Sequence, residues 1–176
     1  MLRGWRADDA SALLRAVTVS DDLGPQFGGT TPADIHGARR AIGILGATSD
    51  AVCNFAIELN GIAVGNVGIS AMEDRHGTGW VYYWLSAEAR GRGLASAALA
   101  TAANWAFSDR GLFRLELGHR TNNPASCAVA RAAGFIAEGV ERQKLRYGTD
   151  RFDVETHGRL ATDPSTGVAL LPITVG

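Results

Sequence analysis

The chain has 176 residues, of which 46% are hydrophobic and 20% are charged, and its formal net charge is −1. This length suits a single domain over residues 1–176, and the composition excludes disorder over most of the chain. The near-zero charge provides no overall field toward nucleic acid or an anionic membrane, so we expect neither as a partner.

Cysteine and histidine usage indicates neither a disulfide framework nor a metal site. Cys53 and Cys127 stand far apart in apolar contexts, which is typical of reduced thiols in a cytosolic protein. The four histidines show no paired spacing such as HxxxH. We therefore predict that no metal is bound.

The sequence carries no signal for export or for membrane insertion. Its first residues, MLRGWRADDASALL, place charges where a signal peptide needs an apolar run. The longest apolar stretch, Leu94 to Phe107, is interrupted by polar residues and falls short of the roughly 20 residues that a membrane span requires. We expect a soluble, cytoplasmic protein.

The first quarter of the chain predicts one strand and two helices. Leu2 to Arg6 is a strand candidate, and Asp8 or Asp9 then caps a helix that runs to about Val19. Residues 20–31 are expected to form an irregular loop. A second helix is predicted with Pro32 at its first position and an end near Ile44.

A hairpin and a central strand are predicted next. Residues 52–59 alternate in hydrophobicity, Asn60-Gly61 supplies a two-residue turn, and residues 62–69 return as the partner strand. A turn region over 73–79 leads to WVYYWL at 80–85, which is apolar on both faces. Such a strand normally lies inside a sheet.

The rest of the chain predicts two helices and three strands. A helix over 94–108 is followed by a strand over 113–118 and a short helix over 124–133. A long hairpin over 139–160 turns at residues 148–150, and the tail from Ala161 is expected to have little regular structure. The order is that of an α/β domain built around one mixed sheet.

The most informative segment is LSAEARGRGLAS at 85–96, where a strand passes through a loop into a helix. Backbone N–H groups at a helix start are unpaired and sit at the positive end of the helix dipole, which suits a phosphate. Gly91 and Gly93 permit close approach to the backbone, while Arg90 and Arg92 offer charge-assisted hydrogen bonds. The alternative is a simple turn with solvated arginines.

Two other nucleotide-binding motifs do not fit this segment. A P-loop requires GxxxxGK[ST], and the loop contains no lysine. The dinucleotide fingerprint GxGxxG fails at its third glycine, and it usually follows an early strand of a parallel sheet.

Arg90 to Ala95, RGRGLA, resembles the acetyl-CoA signature [RQ]xxGx[GA] of the GNAT acetyltransferase superfamily and follows the fourth strand, as in that family. More specifically, the chain resembles the RimJ/RimL-like branch of ribosomal-protein acetyltransferases. The segments that carry this likeness, in order, are YWL (83–85), WAF (105–107), NPAS (123–126), GFIAEG (134–139) and the run 141–160.

The resemblance implies a mostly antiparallel sheet with a V-shaped splay, flanked by helices, and acetyl-CoA as co-substrate. The backbone amides of Arg90, Gly91, Arg92, Gly93, Leu94 and Ala95 would bind the pyrophosphate. Trp84 and Leu85 would pair with the pantetheine arm. Asn123 and Ser126 would lie near the pantetheine and the sulfur, although Asn123 followed by a proline also suits a helix cap.

The resemblance implies direct attack of an amine on the thioester. We expect Ser126 to protonate the departing thiolate, and Cys127 has no base beside it to make it a nucleophile. For the general base we choose Glu116, on the strand that flanks the slot, with His119 and Glu141 as further candidates. Some relatives carry a carboxylate in the region where this chain has Leu145, so the identity of their base cannot be transferred to this sequence.

We therefore expect an acetyl-CoA-dependent N-acetyltransferase whose default acceptor is a protein N-terminal amine. A small-molecule acceptor such as a polyamine, an amino acid or an aminoglycoside is the alternative within the enzyme class. A CoA-binding regulatory module without catalysis is the alternative outside it. A homodimer is compatible with such folds, although no pattern in the sequence marks an interface.

Overall fold

The computed structural model describes residues 1–28 and 30–175. The strands are β1 (Leu2–Arg3), β2 (Cys53–Leu59), β3 (Ile62–Glu73), β4 (Thr78–Leu85), β5 (Arg114–Arg120), β6 (Ile136–Tyr147) and β7 (Asp150–Leu160). The α-helices are α1 (Ala10–Thr18), α2 (Ile35–Leu45), α3 (Leu94–Ser108) and α4 (Pro124–Ala132). Short 3₁₀ turns lie at Ala7–Asp9, Gly24–Phe27 and Ala87–Ala89.

The strands form one seven-stranded sheet in the order β1-β2-β3-β4-β5-β7-β6. Every neighbouring pair is antiparallel except β4 and β5, which run parallel. β4 occupies the middle of the sheet, as its apolar sequence predicts. The expected mixed, mostly antiparallel sheet is therefore confirmed.

β4 and β5 separate soon after they meet. Their parallel pairing covers only Thr78–Trp80 against Arg114–Glu116. From there β4 continues beside β3, while β5 continues beside β7, so the sheet opens into a V. Gly118 lies at this opening, where a Cβ would come within 3.3 Å of the Trp80 indole. A larger residue at 118 would first press on Val154, whose Cγ1 would lie 2.8 Å from the new Cβ, and then on that ring.

Helices cover both faces of the sheet and bury two apolar clusters. On one face, Leu99 of α3 packs with Ile69, Leu115 and Phe135. On the other, Leu13 of α1 and Ile42 of α2 pack around Trp84. The small side chains of the alanine-rich α3 let it lie close to the strands. Within the described residues, no helix combines the length and apolar character needed to cross a bilayer.

Several element boundaries differ from the sequence predictions. α2 begins at Ile35 rather than at Pro32, because the Asp34 side chain caps it by accepting a hydrogen bond from the Gly37 N–H at 2.6 Å. β1 ends at Arg3 instead of residue 6. β3 continues to Glu73 through an irregularity at which Ala71 has a φ of 49°. The loop over 20–31 contains the Gly24–Phe27 turn.

The C-terminal extension packs onto the domain. Ile173 forms a parallel bridge with Leu2, and the Leu171 N–H donates to the Thr101 hydroxyl of α3 at 2.8 Å. Val168, Leu171 and Ile173 also contact the core cluster under α3. The expectation of little regular structure is met, and these residues pack against β1 and α3.

A buried ion pair ties β1 to the first turn and to β2. The Arg3 side chain is 3% exposed and donates two hydrogen bonds to the Asp9 carboxylate, at 2.7 and 2.8 Å. It also bonds Glu58 on β2. Burial acts to raise the pKa of Asp9, but the hydrogen bonds from Arg3 and from the Arg6 N–H outweigh it and lower that pKa.

We expect Asp9→Asn to lower the free energy of unfolding by about 3 kcal/mol, since it leaves the buried Arg3 charge partly uncompensated. Because the folded-state pKa of Asp9 is depressed, its contribution is present above the ordinary aspartate pKa and is lost as the pH falls. Urea unfolding at pH 7 and at lower pH tests this. The exposed neighbour Asp8 provides the control Asp8→Asn; an equal loss there would contradict the assignment.

Candidate functional site

A cavity of about 670 Å³ fills the V between β4 and β5. Two strand edges form its walls, residues 81–85 of β4 and residues 117–120 of β5. The start of α3 lies at one side, and the first turns of α4 lie at another. The lining is completed by Asp22, Leu23, Pro25 and Gln26, together with Leu145 and Tyr147 of β6. The opening of the sheet therefore creates a concave site between the two strands.

The start of α3 presents free backbone donors to the cavity. Gly91 and Gly93 adopt φ values of 75° and 72°, and a Cβ at either would meet open space. Gly93 is the N-cap residue, and no side chain caps the helix. The first N–H groups of α3, at Leu94, Ala95 and Ser96, have no partner within the helix. All three residues line the cavity, so this end suits an anion.

The two arginines of the loop differ from the sequence prediction. Arg90 lines the cavity, but its guanidinium donates to both Asp22 oxygens, at 3.0 and 2.8 Å. It also donates to the Leu85 carbonyl, at 3.1 and 2.9 Å. Arg92 is exposed and is not among the lining residues. The side chain of Arg90 therefore holds the loop around Asp22 to the end of β4 instead of reaching for a phosphate.

The backbone groups of successive β4 residues point alternately toward β3 and toward the slot. The Trp84 carbonyl faces Gly65 of β3, where a Cβ would approach it to 2.4 Å. The Leu85 carbonyl instead faces Arg90 in the cavity. Since backbone groups alternate direction along a strand, Tyr83 and Leu85 present their amides to the slot. The Trp84 side chain packs under the cavity between Trp5 and Phe27.

The start of α4 brings Asn123 and Ser126 to the cavity together. The Asn123 side-chain oxygen accepts a hydrogen bond from the Ser126 N–H at 3.1 Å, so Asn123 caps the helix as its sequence context allows. Both residues line the cavity. The Tyr83 hydroxyl donates to the Ser126 carbonyl at 3.1 Å. Burial raises the pKa of Tyr83 to about 12, so this phenol stays protonated and can donate.

Glu116 lies outside the cavity. It sits opposite Trp80, at the last paired position before the two strands separate, so its side chain stands below the opening of the V. Its carboxylate accepts a hydrogen bond from Arg114 at 2.7 Å, and Arg114 also bonds Glu138. Glu141 pairs with Lys144 on the exposed β6 and is likewise absent from the lining. The geometry supports neither carboxylate as the base.

His119 is the one sequence-predicted base that reaches the cavity. Its Nδ1 lies 3.0 Å from the Arg120 carbonyl, and its Nε2 lies 3.0 Å from Nε2 of His157. Both ring nitrogens are therefore engaged by the protein. Glu155 contacts His157, and the Cys127 thiol donates to Glu155 at 3.4 Å. The residues missed here, His157 and Glu155, share one face of β7, and their i, i+2 spacing was the available signal.

The described cavity lining contains no unpaired carboxylate. Its one acidic residue is Asp22, whose pKa is lowered by the hydrogen bond from Arg90. Its neighbour Asp21 is exposed and is not among the lining residues. The titratable side chains of the lining are Asp22, Tyr82, Tyr83, Arg90, His119, Arg120 and Tyr147. The Asp22 carboxylate is paired with Arg90, and both ring nitrogens of His119 have partners within the protein.

Comparisons with known proteins agree on a family. The model of the acetyltransferase (GNAT) domain matches residues 1–136. Mycobacterium smegmatis RimJ, solved in complex with CoA-disulfide, is 26% identical with a TM-score of 0.75, over 91% of this chain and 81% of that one. RimL, a ribosomal L7/L12 α-N-protein acetyltransferase, is 25% identical with a TM-score of 0.77, over 90% and 88%.

A more distant structure has the same fold. The ribosomal-protein-S5-alanine acetyltransferase from Vibrio fischeri is 21% identical with a TM-score of 0.77, over 92% of this chain and 93% of that one. The family model spans most of the chain. The chain belongs to the GNAT acetyltransferase family and is an N-acetyltransferase.

Proposed function

We propose that this enzyme transfers the acetyl group of acetyl-CoA to the α-amine of a protein N-terminus, by direct attack and in the cytoplasm. The observation that carries the choice of acceptor is that every carboxylate and imidazole of the described cavity lining already has a protein partner, so the lining offers no unpartnered base. An enzyme without such a base depends on an acceptor that is already neutral to a useful extent.

Amine basicity separates the candidate acceptors. An α-amine has a pKa of about 7.7–8.0, whereas a lysine-type amine has a pKa of about 10.4. At pH 7.5, roughly a third of the first and about 0.1% of the second are neutral. Polyamines resemble the lysine case. The likeness to RimJ and RimL favours a protein N-terminus over a free amino acid or an aminoglycoside as the acceptor.

The cofactor is proposed to lie along the V. Its pyrophosphate would accept hydrogen bonds from the backbone amides of residues 91–96, including Ser96, which the sequence motif omits. The Arg90 amide, predicted to belong to this set, instead donates to the Ala87 carbonyl at 3.3 Å. The pantetheine amides would pair with the backbone of Tyr83 and with the Leu85 N–H, since the Leu85 carbonyl already accepts from Arg90. This placement carries the thioester toward Ser126 at the start of α4, and the likeness to RimJ with bound CoA supports it.

The chemical step needs no acyl-enzyme. The amine nitrogen attacks the thioester carbonyl carbon, and the C–S bond breaks as the amide forms. A backbone N–H of the β4 edge stabilises the carbonyl oxygen. The Ser126 hydroxyl donates a hydrogen bond to the departing sulfur, which leaves as CoA thiol once it gains the amine's proton. Cys127 points to Glu155 and is absent from the lining, so it takes no part in transfer.

We expect kcat/KM to rise with pH and to level off above the pKa of the acceptor amine. Asp22 stays ionised and Tyr83 stays neutral between about pH 6 and 9, since the pKa of Asp22 is lowered and that of Tyr83 is raised. The measurement compares kcat/KM for two peptides of otherwise equal sequence. The first has a free N-terminal alanine as its only amine, and the second has an acetylated N-terminus and a single lysine. The lysine peptide should react about two orders of magnitude more slowly at pH 7.5. Equal rates, or one enzyme pKa for both acceptors, would point to a base in the protein.

Ser126→Ala should lower kcat by about 10- to 100-fold and leave acetyl-CoA binding intact, because it removes a donor to the leaving group only. Glu116→Gln should keep most of the turnover. Steady-state kinetics with calorimetric CoA binding measures both. A collapse of turnover in Glu116→Gln would restore Glu116 as the base. CoA binding without turnover in any acceptor assay would favour the non-catalytic module.

Gly93→Ala should raise the KM for acetyl-CoA by about tenfold or more, since an L residue at a φ of 72° is strained by about 1–2 kcal/mol and the loop relaxes away from its binding shape. Gly43→Ala is the matched control, because Gly43 lies in α2 with open space around it. An unchanged KM in Gly93→Ala would argue against a pyrophosphate at the α3 start.

A further inference from the structure

We propose that His119, Cys127, Glu155 and His157 form a binding site for a divalent transition-metal ion of the zinc type. One ligand atom from each of these residues lies within 4.8 Å of all the others. The site borders the acetyl-CoA cavity through His119 but is separate from it, and it goes beyond the proposed acetyl transfer. It reverses the sequence prediction that no metal is bound.

The spacing of the ligand atoms suits tetrahedral coordination. Zinc binds nitrogen at about 2.0–2.1 Å and sulfur at about 2.3 Å, so tetrahedral ligand atoms stand about 3.3–3.6 Å apart. The two histidine Nε2 atoms are 3.0 Å apart. Glu155 Oε2 lies 2.9 Å from the His157 nitrogen and 3.4 Å from the His119 nitrogen, and the Cys127 sulfur lies 3.4 Å from the same oxygen. Two of these distances are a few tenths of an ångström shorter than the tetrahedral spacing and all four atoms lie within 4.8 Å of one another, so small side-chain shifts would close the set.

His119 is held in the orientation that a metal ligand requires. The Arg120 carbonyl, 3.0 Å from Nδ1, can only accept, so Nδ1 carries the ring proton. The Nε2 lone pair of the neutral ring then points into the cluster. A backbone carbonyl that fixes the far nitrogen of the imidazole is the usual support of a zinc-binding histidine.

The fold holds three of the ligands on rigid strands. His119 of β5 lies directly opposite Glu155 of β7, and His157 follows two residues later on the same face. The first turns of α4 add Cys127. Because the ligands come from three separate elements, the i, i+2 spacing of Glu155 and His157 is the one local signal of the site among these four residues.

The chemistry of the four ligands favours a particular ion. Two imidazoles and a thiolate select zinc over magnesium or calcium, which prefer oxygen ligands. With both histidines neutral, one thiolate and one carboxylate balance the charge of a divalent cation. The histidines are 8% and 1% exposed, while Cys127 and Glu155 are only partly buried and border a second, open cavity that gives the ion an entry path. Four protein ligands make this a structural site that fastens α4 to β5 and β7.

Metal binding can be tested on the wild-type chain alone. Protein stripped with a chelator is titrated with Co²⁺ as a spectroscopic probe, and Zn²⁺ is then used to displace it. We expect one ion per chain, the visible bands of tetrahedral Co²⁺ and a near-ultraviolet thiolate-to-metal band. We also expect a melting temperature that rises with Zn²⁺. Substoichiometric uptake, or a cobalt spectrum without the thiolate band, would overturn the site and leave a hydrogen-bonded cluster in its place.

Variants assign the ligands. Cys127→Ser should abolish the thiolate band, and His157→Gln should weaken Zn²⁺ affinity by about 100-fold or more, a larger effect than loss of a supporting group. Cys53→Ser and His76→Gln make the same chemical changes outside the cluster and should leave both readouts unchanged. If Cys53→Ser removes the band instead, the assignment fails. Circular dichroism of each variant shows whether it is folded, and the wild-type titration decides the question if Cys127→Ser is not.

Discussion

The short parallel pairing of β4 with β5 is the constraint on which the site depends. Three residue pairs join the strands, and beyond Trp80 and Glu116 each strand follows its other neighbour. The separation frees one edge of β4 and makes room for a cavity whose walls are backbone as much as side chain. It also decides which residues can act, since those at or below the last pair are held away from the cavity.

Local signals in the sequence predicted most of the elements. Asn60 and Gly61 have φ values of 51° and 82°, as their predicted two-residue turn requires. The hairpin of β6 and β7 turns between Tyr147 and Asp150, as predicted from Gly148. α3 and α4 also fall close to their predicted limits. Caps, turns and alternation act within a few residues, so a single sequence contains enough information to place them.

What the sequence could not predict depends on residues far apart along the chain. Arg90 meets Asp22 across 68 positions, and Arg3 meets Glu58 across 55. The wrong prediction that Glu116 acts as the base in the slot has the same origin, because the position at which two strands separate depends on the whole sheet. Nothing local distinguishes a residue just below that point from one just above it.

The bridge between Leu2 and Ile173 has a consequence for how the protein behaves in solution. The Leu2 N–H donates to the Pro172 carbonyl at 2.7 Å, and its carbonyl accepts from the Thr174 N–H at 2.9 Å. β1 ends the sheet, and an open end strand offers its backbone to other chains as a template for aggregation. Residues 172–174 already pair with the backbone of Leu2, so they hinder the addition of another strand at this end of the sheet.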